Sequence, residues 1–184
     1  MNGREIVVGV TGGVAAYKTA ALVSQLVQAG AGVSVVLSAS AREFIGAATF
    51  EALTGRTVNT GVFHEPEHPL GAHIDLATRG EILCVAPATA NFMGKVAHGL
   101  ADDLLSTLAL SFTGPIMLAP AMNCEMWDKP SVQRNVEQLR ADGVILVGPE
   151  EGWLSCRQRG MGRMSAPEKI FAAIAEQLAR TSKK

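Results

Sequence analysis

Apolar runs of strand length alternate with segments of helical period along the whole chain. The strand candidates are residues 6–10, 33–37, 82–86, 116–119 and 144–147, set off by Gly, Pro or Ser. They lack the in–out alternation of a sheet with one wet face, which predicts strands covered on both sides, as in parallel sheets. Between them the 3.6-residue period predicts helices over 14–29, 41–53, 91–112, 131–141 and 166–179, with Gly30 stopping the first and Pro167 opening the last. The order βαβα predicts one α/β domain over 1–184: a single doubly wound, Rossmann- or flavodoxin-like parallel sheet with helices on both faces. Residues 55–72 and 148–164 follow neither period and read as long loops. In such sheets ligands collect beyond the carboxyl ends of the strands, so long loops there are the places to look for function.

Composition narrows the partners. The chain has 184 residues, with 16 Lys and Arg against 17 Asp and Glu. At that length a core holds without disulfides or a structural metal. The balanced charge argues against nucleic acid and against an electrostatic membrane anchor, and no apolar run approaches the roughly 18 residues of a membrane span. Cys84, Cys124 and Cys156 form no C-x-x-C pair, which suits a reducing compartment. The apolar start at 6–10 is too short for a signal-peptide core, and the expected location is the cytoplasm.

The first strand-to-helix turn, Gly9-Val10-Thr11-Gly12-Gly13-Val14-Ala15-Ala16-Tyr17-Lys18-Thr19, nearly fits two phosphate motifs. The P-loop spacing is met, but Tyr17 stands where the second glycine must let backbone wrap a phosphate. The dinucleotide fingerprint requires an acidic residue after the second strand, where this chain has Ser38-Ala39-Ser40. Hydroxyls suit a phosphate better than an adenosine ribose, so a mononucleotide is favoured over a turn serving geometry alone. His64-Glu65-Pro66-Glu67-His68 matches the zinc-protease pattern, but Pro66 denies it the helix that would put both imidazoles on one face. No metal site is expected.

Four further segments carry candidate chemistry. His73 stands where polar chain gives way to apolar chain, either bonding locally or acting in a reaction. Pro87-Ala88-Thr89-Ala90-Asn91 follows the third strand and Pro120-Ala121-Met122-Asn123-Cys124-Glu125-Met126-Trp127 the fourth, each offering small residues and an asparagine where a ligand could approach backbone. In the last loop Cys156 lies among Arg157, Arg159 and Arg163 and several glycines. It is either a small buried hydrophobe or an accessible thiol on a lid.

Together these segments resemble the homo-oligomeric flavin-containing cysteine decarboxylases, over nearly the whole chain. His73 matches that family's active-site histidine, 87–91 its PASANT-like segment, 120–127 its P-x-M-N-x-x-M-W pattern, and Cys156 with Gly160-Met161-Gly162-Arg163-Met164 its substrate clamp. The resemblance implies FMN held by Gly12, Gly13, Val14, Ser38, Ser40, Thr89, Ala90, Asn91, Phe92 and Ala121. It implies a small-molecule substrate, 4′-phospho-N-pantothenoylcysteine, decarboxylated to 4′-phosphopantetheine in coenzyme A synthesis through thioaldehyde and enethiolate intermediates. In those roles His73 serves as base or substrate-orienting group, and Asn123 holds the carboxylate with Met122 and Ala121 alongside. Cys156 is the proton donor of the last step. The resemblance further implies a homotrimer, or a dodecamer of trimers, with FMN at the subunit contact.

The clamp departs from A-C-G-D-x-G-x-G-R-M, since Arg157-Gln158 replaces Gly-Asp, and Phe92 stands where threonine is common. Peptidyl-cysteine decarboxylases of lanthipeptide type share the other motifs but stop at the enethiol and lack the clamp cysteine, so Cys156 favours the reductive enzyme. Flavin prenyltransferases would need neither His73 nor Cys156. A non-catalytic flavin-binding phosphatase regulator is the rival from another class, disfavoured by intact His73, Asn123 and Cys156 and by the lack of an acidic tail. The ligase activity that many bacterial relatives carry as a second domain is expected to reside elsewhere.

Overall fold

A computed structural model of the protein describes residues 1–62 and 71–181. The elements run β1 (Glu5–Val10), α1 (Ala16–Gln28), β2 (Gly32–Leu37), a 3-10 turn (Ala39–Glu43), α2 (Ala47–Thr54), α3 (Ala72–Arg79), β3 (Ile82–Ala88) and α4 (Ala90–Ala97). There follow α5 (Leu104–Ser111), β4 (Ile116–Pro120), α6 (Cys124–Trp127), α7 (Pro130–Ala141), β5 (Ile145–Leu146), β6 (Glu150–Trp153), β7 (Arg159–Arg163) and α8 (Pro167–Thr181). Five strands form a parallel sheet in the order β2-β1-β3-β4-β5, and β6 and β7 pair as a separate antiparallel hairpin. This is the flavodoxin-like α/β fold, with its switch of direction between β1 and β3.

Neighbouring residues of one strand serve two different cores. Ile6, Val8 and Val10 of β1, with Ile82, Cys84 and Ala86 of β3, pack under α1, α2 and α8. Val7, Leu83, Val85 and Leu118 face the other way, under α3, α4, α5 and α7. That double coverage explains the unalternating apolar runs. Gly9 is required by packing, because a Cβ there would lie 2.6 Å from the Leu105 Cδ1.

Three helices differ from the sequence expectation. The span 41–53 divides at Gly46, the N-cap of α2, after the 3-10 turn whose N-cap is Ser38. The span 91–112 divides into α4 and α5. Gly99 takes a left-handed φ of 65°, and Asp103 begins a fresh helix with a capping box in which its side chain accepts from the Ser106 N–H at 2.8 Å. Periodicity continues through such a break while the backbone does not. Helix α3, at 72–79, follows the first stretch read as a loop and has no counterpart among the expected elements, and within the second 150–163 holds the hairpin. The His64–His68 pattern lies outside the described residues.

Asp103 also pairs with the Lys95 Nζ at 2.7 Å. Burial pushes its carboxyl up, but hydrogen bonds from Lys95 and Ser106 outweigh that and hold it below its ordinary 3.8. Asp103→Ala should cost about 1–2 kcal/mol at neutral pH, the scale of a lost cap. A lowered folded pKa gives stability that is complete above the unfolded value and lost as pH falls through the folded one. The gap between variant and wild type in denaturant titrations should therefore shrink below pH 3.8.

Candidate functional site

Parallel strands deliver their following turns to one edge, and here those turns surround a crevice. One lobe, about 420 Å³, lies between the first turn, the end of β4 and the hairpin. The other, about 380 Å³, lies between the first turn, the end of β2 and the start of α4. Gly12, Thr89, Ala90 and Met126 border both.

Thr11 fixes the central wall. Its Oγ1 donates to the Pro87 carbonyl at 2.7 Å and accepts from the Thr89 N–H at 3.0 Å, tying the turn after β1 to the end of β3. Thr19 of α1 adds a bond to the Ala86 carbonyl at 2.6 Å. Thr89 caps α4, accepting from the Phe92 N–H at 3.4 Å. Gly12 meets Ser40: a Cβ on Gly12 would collide with the Ser40 Cβ and lie 3.0 Å from its carbonyl carbon. The first turn and the end of β2 can close on the crevice only because residue 12 has no side chain.

The second lobe is bordered by hydroxyls and by the N-terminal turn of α4, including Ser38, Ser40, Asn91 and Phe92. At the end of β2 the lobe is bordered by Ser38, Ala39 and Ser40, with no carboxylate there to take a ribose. Lys95 and Asp103 also border this lobe, but Lys95 is held by Asp102 at 2.6 Å and by Asp103. These carboxylate hydrogen bonds raise the Lys95 pKa. The donors left at the lobe suit a phosphate bound by hydroxyls and backbone N–H groups.

The first lobe is roofed by the hairpin. Gly160 lies on Cys124, where a Cβ would sit 2.8 Å from the cysteine Cβ. Gly162, at φ 144°, meets the Met122 carbonyl so closely that no Cβ fits, and the Met122 N–H donates to the Gly162 carbonyl at 3.0 Å. Gly160 and Gly162 are thus contact points that seat the hairpin on 122–124. Asn123 caps the short α6, its Oδ1 accepting from the Glu125 N–H at 2.7 Å. Its amide nitrogen remains available to donate into the lobe that Asn123 borders. Cys156 is exposed on the hairpin turn and lines this lobe, whereas the small buried cysteine is Cys84, whose thiol burial pushes up to about 12.

Gly12, Gly13, Val14, Ser38, Ser40, Thr89, Ala90, Asn91, Phe92, Ala121, Met122, Asn123 and Cys156 thus converge on one crevice. His73 does not. It lies in the first turn of α3 and borders neither lobe, and its Nδ1 is buried with no hydrogen-bond partner among the described residues. Phe92 is 3% exposed and packs in the α4 core, so its ring is structural. Sequence reasoning missed Thr11, whose signal was a lone hydroxyl between an apolar strand and a glycine pair. It also missed Lys18, which lines the first lobe from α1.

Comparison with known proteins gives the crevice its context. The family model described as Flavoprotein matches residues 1–179. The coenzyme A biosynthesis bifunctional protein CoaBC of Bacillus subtilis (strain 168) is 46% identical over 170 residues, covering 92% of this chain and 42% of that protein. The chain therefore spans about two fifths of the curated relatives it matches. Among solved structures, the FMN-dependent cysteine decarboxylase SpaF is 33% identical, covers 98% of each chain and superposes with a TM-score of 0.83. A cysteine-to-serine mutant of PPC decarboxylase complexed with pantothenoylaminoethenethiol is 28% identical, covers 94% of this chain and 96% of that one, and gives a TM-score of 0.82.

Thr11→Val keeps the shape of the side chain and removes both of its bonds, leaving the Thr89 N–H without its partner. The expected loss is about 1–3 kcal/mol, the cost of an unsatisfied buried donor. Urea titration measures it, and the Thr89 and Phe92 amides should exchange faster with deuterium than in wild type.

Proposed function

The chain belongs to the Flavoprotein family, and from that premise we propose that it is an FMN-dependent carboxy-lyase, decarboxylating 4′-phospho-N-pantothenoylcysteine to 4′-phosphopantetheine in coenzyme A synthesis. The observation that carries this reading is the convergence of the first turn, 87–92, 120–123 and the Cys156 hairpin on one crevice. The PPC decarboxylase and CoaBC relatives support it. So does the exposed Cys156, since a decarboxylase that stops at the enethiol has no need of that donor.

The residues present fit FMN. Gly12 gives a bare approach against Ser40, and Ser38, Ser40, Thr89 and the α4 N–H groups offer neutral donors to a phosphate. When bound, FMN supplies hydride acceptance from the carbon bearing sulfur and its later return, the electron sink that carbon dioxide loss requires. The protein does the rest. Asn123 Nδ2 donates to the substrate carboxylate while its Oδ1 is fixed by Glu125, which sets the amide orientation. The hairpin covers the first lobe and excludes water, and the Cys156 thiol delivers the final proton. Lys18 offers a cation to the substrate phosphate at the lobe it lines.

The position of His73 calls for a second copy. Its motif gives it a place in the reaction, yet its own crevice does not contain it. Beside it Ile74 is 46% exposed, while Val14 and Tyr17 at the crevice are 54% and 63% exposed. The α3 surface of one copy seats on the first turn of the next and brings the neighbouring copy's His73 to the reacting carboxylate. Two different surfaces meeting head to tail make a ring where the rotation between copies closes, and the ring in this reading is a trimer, alone or as a unit of a dodecamer. The chain acts as one domain in the cytoplasm. Among the described residues no helix is long and apolar enough to cross a membrane.

The test is mass spectrometry of products from phosphopantothenoylcysteine beside a cysteine-ended peptide. Wild type should be yellow and convert only the former. Cys156→Ser should still release carbon dioxide but accumulate the enethiol, two hydrogens lighter than phosphopantetheine, and full turnover by this variant would remove Cys156 from its role.

His73→Asn should bind FMN and lose decarboxylation. Mixing unfolded His73→Asn and Cys156→Ser chains and refolding them together should restore part of the turnover, because some crevices then hold both intact residues. Absence of recovery, with mixed oligomers shown by native mass spectrometry, would place His73 and Cys156 in the same chain's site.

A further inference from the structure

Two of the three cysteines approach one side chain. The Gln158 Oε1 lies 3.6 Å from the Cys124 Sγ and 4.0 Å from the Cys156 Sγ. Both thiols donate weakly to the same amide oxygen. The sulfurs are therefore no farther apart than these two contacts laid end to end, and between them stands the end of one flexible side chain.

The fold creates this approach from remote sequence. Cys124 opens α6 after β4, and Cys156 sits on the turn between β6 and β7. The close seat of Gly160 on Cys124, 3.2 Å from Sγ to the site of a Cβ, holds the base of that turn against α6. That turn is closed by the Leu154 N–H to Gln158 carbonyl bond at 2.8 Å, and Arg157 within it takes φ 62°, a left-handed conformation disfavoured for a residue with a Cβ. Cys124 is half-buried and Cys156 exposed, so an oxidant reaches Cys156 first, with Cys124 waiting behind it. Cys84 is fully buried, its thiol pushed up to about 12, and takes no part.

We infer that Cys124 and Cys156 form a redox modification site, a reversible intramolecular disulfide made by hydrogen peroxide and reopened by thiol reductants. The Cys156 thiolate attacks one peroxide oxygen; the O–O bond breaks, hydroxide leaves with the electron pair, and a sulfenic acid forms. The Cys124 thiolate then attacks that sulfur, the S–O bond breaks, and hydroxide leaves as the S–S bond forms. Together the two thiols give up two electrons and two protons, and peroxide becomes two waters. The functional consequence rests on the proposed decarboxylase: oxidation removes its proton donor and pins the hairpin to α6. Since Cys124 lines neither lobe of the crevice, its role in this site is that of resolving partner.

The experiment treats the reduced full chain with hydrogen peroxide and reads intact mass, a non-reducing peptide map and accessible thiols. The two accessible thiols should vanish together, the mass should fall by two hydrogens, and peptides carrying Cys124 and Cys156 should be linked until dithiothreitol releases them. Cys124→Ala, which keeps the Cβ beneath Gly160, should retain the activity of the reduced enzyme. Under peroxide it should gain oxygen on Cys156 instead, with inactivation that reductant reverses only in part. Wild type that gains oxygen with no linked peptide, loses the two thiols independently, or links only between chains would overturn the inference. None of the mass or thiol readings depends on turnover. A linked pair in a protein that never decarboxylates would therefore sink the enzyme reading alone, and an active enzyme without the link would sink this one alone.

Discussion

The site depends on the stitch between β1 and β3. These strands are neighbours in the sheet, yet α1 leaves β1 toward one face and α4 leaves β3 toward the other. Divergence of two chains at a shared edge opens a crevice, and nothing in the sheet's own hydrogen bonding fixes its width. Thr11 does so, one hydroxyl serving the Pro87 carbonyl and the Thr89 N–H at once. Because Thr89 also caps α4, the same side chain sets where that helix begins and where its free N–H groups point. A buried hydroxyl with both capacities used is rigid, and rigidity is what a cofactor site on turns would otherwise lack.

Around that stitch, charge is largely neutralised away from the crevice. Lys95 is held by Asp102 and Asp103, and Glu150 at the hairpin base takes Lys169 at 3.0 Å and Arg163 at 3.1 Å. The Lys169 hydrogen bond is the largest influence holding the Glu150 carboxyl below its usual range. At the second lobe what remains beyond the Lys95–Asp103 pair is neutral, hydroxyls and backbone N–H groups, while Lys18 lines the first. Under the proposed function such donors would bind a phosphate without placing a strong fixed field beside the flavin, leaving substrate charge to Lys18 and Asn123.

Much of this was legible in the chain because the physics was local. Strands apolar on both faces announce a parallel sheet, and Ser38 and Ser40 in place of a carboxylate announce a mononucleotide. The failures have equally physical causes. The break between α4 and α5 is written in Gly99 and Asp103, but Leu104, Leu105 and Leu108 keep the apolar period running across it. The hairpin lacks the β-branched residues that mark strands. Arg159-Gly160-Met161-Gly162-Arg163 is extended because its glycines must lie flat on 122–124, a tertiary demand invisible to any window of sequence. His73 was legible as a motif and not as a position, since it borders neither lobe of its own chain's crevice.

The hairpin also shows why a reactive cysteine belongs on a marginal element. Two strands alone are barely stable in water. Here the base is held by Glu150 to Arg163 and Lys169 and by the Met122–Gly162 bond, while the turn carrying Cys156 is held by its own backbone bonds between Leu154 and Arg157 and Gln158 and by contacts with the Gln158 side chain. Stability therefore falls from base to tip. An exposed thiol on the tip can shift toward the first lobe or toward Cys124 without disturbing the sheet beneath. Had Cys156 been carried by β4 or α4 it would have been held as firmly as Cys84, and burial would have pushed its thiol up and closed it off from the first lobe.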